Sequence, residues 1–481
     1  MTREEKIALR KEQIRKEKLR KNNIILSLIL ACEIIIITML VLGMRAYDSK
    51  KLFVPDNSAD YSIADGDIAS IYIKNVPEMH DPNFKINTEP DYVTLTVVGD
   101  IMMHEWQIER SYNQETDSFS VDDSYTYISK YLCDADMTIG NLETTLAGRN
   151  NGAMTGVLGY SGYPMFNAPE CLADTLKDIG FDFLQTANNH SLDSWEDGIY
   201  ATIDYLDSIG MEHTGTFKTK EENEELCIVE INGITFGFVA YTYGTNGLPV
   251  PEEAPYCINT LETYREDLLE EMYSKVRALD EAGVDFVCPL IHFGTEYTEV
   301  PDSWQEMVVD GLFEAGADVI FGGHPHVVEP IDVRTITNPD GTTRQGYVVY
   351  SFGNFISSQR YDGVNKDLGI ITDFRFSKQA IDGEIITKVE DIKVEPTYVY
   401  WTDTVIGVVP VLEAYNHQDD YSFLSARDWE RITYAKDHVI ELLMTYGNLQ
   451  YEIENDKYVI TPKSNQTVID EETSENSDVV E

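Results

Sequence analysis

The pattern of hydrophobic positions changes character three times along the chain. Residues 24–44, IILSLILACEIIIITMLVLGM, form a 21-residue apolar run whose one charged position is Glu33. At 1.5 Å per residue, a helix of that length reaches about 31 Å, enough to cross a bilayer core. A cleavable signal would have an apolar stretch of only about 7–15 residues and a small-x-small site after it. Gly43-Met44-Arg45-Ala46-Tyr47 is a poor cleavage site. The pattern predicts an uncleaved transmembrane signal anchor over 23–45, with Glu33 a carboxylate tolerated in a very apolar setting. Residues 46–90 are polar and punctuated by Pro55, Pro77, Pro82 and Pro90, which predicts an extracytoplasmic stalk.

From 91 to 377 short β-rich runs alternate with amphipathic helical stretches. The runs are 92–98, 136–141, 181–187, 234–242, 284–293, 317–323, 347–354 and 368–376. Helical spacing marks 168–180, 198–210, 268–283 and 303–316, the first with Leu172, Leu176 and Ile179 on one face and a Gly stop. Such alternation predicts an α/β domain of βαβ units. A C-terminal extension over 378–460 is expected to pack on that domain. Within it, 384–400 suggest a hairpin or two edge strands, and 427–446 suggest one helix. Residues 461–481 read as an acidic, disordered tail.

Composition adds little to the fold but much to the charge. With 481 residues, 43% of them apolar and 25% charged, the chain has ample material for a folded core. Its net charge of −48 argues against nucleic acid as a partner and against adhesion to anionic lipid. That charge is unevenly placed. An arm over 1–22 is +5, and is expected to stay in the cytoplasm beside the anchor, leaving −53 beyond residue 45 on the far side. Five Cys follow the anchor (Cys133, Cys171, Cys227, Cys257 and Cys288), an odd number with no CxxC, so no disulfide framework is predicted. Cys227 and Cys288 fall in apolar runs, where a thiol behaves as a small hydrophobe.

The chemistry lies in where the β runs end. One run ends at Asp100, with His104 four residues on. The next ends in Asn141 and Glu143. A third ends in Asn188, Asn189 and His190, with Asp193 following. A fourth ends in His292, then Glu296 and Tyr297, and a fifth in His324 and His326. Asn354 ends another. Ligands of open α/β sheets bind at the carboxyl ends of strands. Five strands would thus bring Asp, Glu, Asn and His to one rim. Imidazole, carboxylate and amide together suit Mn, Zn or Fe. Taken singly, Gly-Asp is a common turn, Asn-Asn-His a common capping segment, and His292 an ordinary polar strand end. Gly-Gly-His-Pro-His has little structural reason to occur, and five coincidences in order have less.

The ordered set Asp100, Asn141-Leu-Glu143, Asn188-Asn189-His190, His292 and Gly323-His324-Pro-His326 resembles the calcineurin-like metallophosphoesterase pattern. Within it, TVVGDIMMH, GNLET, IHFGTEY, GGHPHVVEP and YSFGNF are most similar to the bacterial CapA group of poly-γ-glutamate capsule biosynthesis proteins, over roughly 92–376. The resemblance implies a metallophosphoesterase-like layered α/β sandwich behind an N-terminal transmembrane helix. It implies one or two divalent ions. Asp100 and His326 would hold the first, Asn189, His292 and His324 the second, with Glu143 between them. His190 would be the general acid. Glu296 would orient water or a ligand histidine, with His104, Asn141, Asn188, Asp193 and Asn354 touching substrate or supporting the ligands. Arg149 is the nearest obvious anion contact. Two departures stand out: His104 is four residues from Asp100 where the family has Asp-x-His, and Glu143 stands where it usually has Asp.

The function so implied is metal-assisted hydrolysis or transfer during capsule biosynthesis or export, at the cell membrane. The substrate would be an anionic γ-glutamyl polymer or a phosphoester, with membrane-embedded polymer synthase subunits as partners. The rivals are a general surface phosphatase or nucleotidase, and a non-catalytic module binding polymer or partner proteins.

Overall fold

The computed structural model describes residues 89–463, apart from 155, 262–265, 339, 382–383 and 447–448. The expected basic arm, the signal anchor, nearly all of the stalk and nearly all of the acidic tail lie outside the described residues. Among those residues, no helix is long and apolar enough to cross a membrane.

In chain order, β1 (Asp91–Ile101), a small hairpin of β2 (Tyr112–Asn113) and β3 (Ser118–Phe119), β4 (Met137–Leu142), β5 (Phe183–Gln185) and β6 (Glu212–Thr214) come first. Then follow β7 (Cys227–Ile231), β8 (Ile234–Thr242), β9 (Phe286–His292), β10 (Val319–Gly323), β11 (Ile331–Thr337) and β12 (Thr343–Val349). The chain closes with β13 (Asn354–Ile356), β14 (Leu368–Ile381), β15 (Glu384–Trp401), β16 (Ile406–Pro410), β17 (Leu449–Glu454) and β18 (Lys457–Pro462). One sheet runs β17-β18-β15-β14-β1-β4-β5-β6, with β13 on β1 and β16 on β15. The other runs β11-β12-β10-β9-β8-β7. The chain therefore builds four strands of the first sheet, all of the second, and then returns.

Side-chain alternation explains why the two sheets stack. Phe286, Cys288 and Leu290 of β9 share a core with Val93, Leu95 and Val97 of β1 and Phe374 and Phe376 of β14. The residues between them, Val287 and Ile291, join Met272, Val276, Val308 and Leu312 of helices Glu266–Glu281 and Ser303–Ala315. On the far face of the first sheet, Val98, Leu142 and Leu184 pack on Leu172, Ala173 and Leu176 of helix Cys171–Asp178. Strands buried on both faces read as continuous apolar runs, which is why β9 shows no polar alternation. The result is helix, sheet, sheet, helix. The five described cysteines are free thiols.

The expected hairpin or edge strands over 384–400 are one continuous strand. β15 pairs with β14 from Glu384 to Tyr398, and on its other side with β18 at Ile392–Val394 and β16 at Thr397–Trp401. Pro396, which has no N–H to give a ladder, falls in the gap between those two partners. Helix Ala426–Leu443 covers this part, burying Ile432, Ala435, Val439 and Leu443 in the inter-sheet core.

Strands β1, β4, β5 and β6 run parallel, as do β8, β9, β10 and β12. Their carboxyl ends carry the polar clusters. The rim expected at the strand ends is a seam, fed by both sheets.

Candidate metal centre

Backbone irregularities aim the polar side chains into this seam. In β1, Val97 pairs with Ile139 but Asp100 pairs with Asn141, so three residues of β1 match two of β4. Such a bulge re-aims a side chain. Here Val98 and Ile101 both face the outer helices, and Asp100 turns towards the other sheet. Gly99 permits it: a Cβ there would lie 1.9 Å from the Gly353 carbonyl oxygen, which accepts the Asp100 N–H at 3.0 Å. In the second sheet, His292 keeps the parity of Phe286, Cys288 and Leu290 and so faces inward. After β10, His324 (φ 100°) and His326 (φ 57°) both adopt left-handed backbone. Such conformations are costly for non-glycine residues and cluster at functional sites.

The side chains so aimed meet. Asp100 Oδ2 lies 3.1 Å from His326 Nδ1, and Asp100 Oδ1 accepts from Asn141 Nδ2 at 2.8 Å. His292 Nε2 is 2.9 Å from Asn189 Oδ1 and 3.5 Å from Glu143 Oε1. His326 Nε2 is 3.7 Å from the same Glu143 oxygen. The His292 and His324 rings are 4.9 Å apart. Two groups have ligand atoms close enough to share an ion: Asp100, Glu143 and His326, and Glu143, His292 and His324. Glu143 belongs to both.

Glu143 is fully buried, and neither of its carboxylate oxygens has a hydrogen-bond partner among the described residues; His324 Nδ1 is likewise buried without one. A buried carboxylate without donors is expensive unless a cation neutralises it. The donor set of two carboxylates, three imidazoles and the Asn189 amide fits a divalent ion of the Mn, Zn or Fe kind.

The other expected residues surround the two groups. His190 Nδ1 is 2.6 Å from Asp193 Oδ2, and that oxygen also accepts the Phe166 N–H. The Phe166 ring meets His190 edge-on at 4.6 Å. Asn354 Oδ1 is 3.1 Å from His326 Nδ1, while its amide nitrogen donates to Gln359 Oε1 and the Lys366 carbonyl. Asn188 donates to Asn141 Oδ1 and the Leu142 carbonyl, holding β4 and β5 ends together. His104 is in neither ligand group. It precedes helix Glu105–Ser111, and its Nδ1 accepts from the Ser358 N–H at 3.3 Å. Glu296 is exposed at the rim, beside Tyr297. Arg149 is held by Asp117 and the Leu158 carbonyl.

Sequence reasoning missed Tyr243 and Asn246, which follow β8. The Tyr243 ring lies 4.4 Å from that of His324, and Asn246 accepts from Asn189. The Asn-Gly pair that hides Asn246 reads as ordinary turn chemistry. The signal that would have found it is position: this strand, too, ends at the seam.

Burial and charge set the protonation of the ligands. Burial pushes His324 well below its ordinary value, so it is a neutral, ready ligand. Burial also pulls His104 down, to about 3. Burial would lower His326 as well, but the charges of Glu143 and Asp100 outweigh it and raise His326 to about 9. Burial works to raise Asp100, yet the His326 hydrogen bond and the charges of His292 and His326 hold it low. Burial raises Asp193, with partial compensation from His190.

A cation entering the Asp100–Glu143–His326 group must therefore expel a proton below pH 9, whereas His324 has none to lose. Affinity of that group should rise with pH, up to about tenfold per unit between pH 7 and 9, and level off above. Metal titrations at three pH values would show one pH-dependent ion and one far less so.

Sequence comparison places the chain. The profile described as bacterial capsule synthesis protein PGA_cap matches residues 94–359, more than half the chain. The chain belongs to this capsule synthesis family. Two curated proteins are similar to it. Capsule biosynthesis protein CapA of Bacillus anthracis is 27% identical over 274 residues, 56% of this chain and 61% of that protein. PGA biosynthesis protein CapA of Bacillus subtilis (strain 168) is 25% identical over 271 residues, 56% of this chain and 64% of that protein. The similarity thus spans less than two thirds of either CapA protein. The PGA_cap match contains every residue of both ligand groups, and it ends before β14, β15 and the C-terminal helix.

Proposed function

We propose that this chain is a membrane-anchored, extracytoplasmic CapA-like protein with a metallophosphoesterase-like sandwich. It acts on an anionic γ-glutamyl polymer in capsule biosynthesis or export, at a metal-dependent hydrolase-type site. The observation that carries the reading is Glu143, buried without a hydrogen-bond partner among the described residues and shared by two ligand groups. The anchor rests on the apolar run at 24–44, and the polymer on the relatives named above.

Divalent ions in these groups would supply Lewis-acid activation of water and neutralise charge developing on a phosphoryl or acyl oxygen. The chain's own residues do the rest. Asp193 takes the Nδ1 side of His190, which fixes the tautomer and leaves Nε2 to hand a proton to a leaving group. Phe166 covers one side of that imidazole and keeps water from it. Asn354 holds the His326 ring in register with Asp100. The outer part's −53 would repel a polyanion at long range, but ions screen that beyond about 8–10 Å. Contact then concentrates at the seam, where bound cations reverse the local sign.

A deletion strain tests this. Wild-type gene should restore surface polymer, and an Asp100→Ala/His324→Ala gene of equal expression should not. Full restoration by the double variant would leave only a non-catalytic binding role.

A further inference from the structure

We propose that Asn246, locked by Tyr243, is a positioning residue that decides which end of the Asn189 amide faces the ligand groups. This rests on the metal-site reading above. A primary amide has two ends of nearly equal size, and only its oxygen can ligate a cation. Shape alone therefore does not orient Asn189. In the structure Asn189 Oδ1 lies 2.9 Å from His292 Nε2, and Nδ2 donates to Asn246 Oδ1 at 3.2 Å. Turning the amide over would set two carbonyl oxygens against each other and point an N–H pair at the ligand group.

Asn246 can impose this because it is itself held. The Tyr243 hydroxyl donates to the same Asn246 Oδ1 at 3.2 Å. That oxygen thus receives two donors and has no reason to turn. The backbone is fixed as well. Asn246 (φ 53°) and Gly247 (φ 78°) form a left-handed turn, closed by Leu248 N–H to the Thr245 carbonyl and by Thr245 Oγ1 to the Leu248 carbonyl. Asn tolerates that conformation better than most residues. The loop is tied to the site at its base, where the Tyr243 N–H donates to the His292 carbonyl at 2.9 Å.

One loop thus touches four residues on one side of the centre: the Asn189 amide, the His292 backbone, the His324 ring and, through Asn246 Nδ2 at 3.5 Å, His190 Nδ1. Among the described residues, neither Tyr243 nor Asn246 makes a hydrogen bond or ring contact with Asp100 or His326. Its loss should weaken one ion and spare the other. Partners that orient ligands in this way typically contribute about 10–100-fold to metal affinity.

The test is Mn(II) binding by the detergent-solubilised full chain, read by calorimetry and by the electron paramagnetic resonance of coupled against isolated Mn(II). Wild type should bind two ions. N246L should keep one ion at wild-type affinity, bind the second about 10–100-fold more weakly, and show isolated rather than coupled Mn(II). N246D keeps an acceptor for both donors and should retain two coupled ions. Y243F should weaken the second ion less than N246L does. The inference is overturned if N246L binds two ions as wild type does, if both ions weaken together, or if N246D fails as badly as N246L. Wild type that binds no ion would sink the metal reading itself, a result distinct from these.

Discussion

Glu143→Gln should abolish the response of the folded chain to divalent cations, while single changes elsewhere in the centre should abolish only part of it. A ligand that binds only the folded state at a hundredfold excess over its Kd stabilises it by about 2.7 kcal/mol per site. Wild type should therefore melt several degrees higher in Mn(II) than in chelator. Glu143 is the one residue common to both ligand groups, so the isosteric amide removes a charged ligand from each. Asp100→Asn removes one from the His326 group alone, and His324→Ala one from the His292 group alone. The expected order of the melting shift is wild type, then either single-group variant, then Glu143→Gln near zero. A Glu143→Gln protein that still gains as much from Mn(II) as wild type would show that the carboxylate is not a ligand.

The second large effect concerns turnover. His190→Ala should lower kcat on a phosphoester by roughly 10²–10⁴-fold, the usual contribution of a general acid. Bound metal should be unchanged, since His190 is in neither ligand group. The loss should depend on the leaving group. A nitrophenolate departs without help, so p-nitrophenyl phosphate should suffer least, and an alkyl ester most. Asp193→Asn should follow the same leaving-group trend, because its Oδ2 meets His190 Nδ1 at 2.6 Å and sets the tautomer. Equal losses on both esters would assign His190 to substrate binding instead.

The ends of the strands were legible in the sequence; the partition into two sheets was not. Residues 284–293 read as a buried strand because both faces of β9 are covered. The same double burial hides which neighbour lies on which side, so one rim could not be told from a seam between sheets. The long β14–β15 pairing was hidden too. Pro396 argues against an interior strand, and only the gap between β16 and β18 makes it acceptable. At the site, Asp100, Glu143, Asn189, His292, His324 and His326 stood out because ligands at successive strand ends form an ordered pattern. What no pattern shows is the bulge that turns Asp100 inward, the Asp193–His190 contact as opposed to a helix cap, and the role of Asn246 inside a turn. Those depend on backbone geometry brought together from distant parts of the chain.

The metal content of the full chain, purified without chelator and measured by elemental analysis, bears most directly on this account. It predicts up to two equivalents of Mn, Zn or Fe in the wild type and close to none in Glu143→Gln. A folded wild-type chain that carries none of these metals, and takes up none when they are supplied at pH 8 to 9, would contradict it.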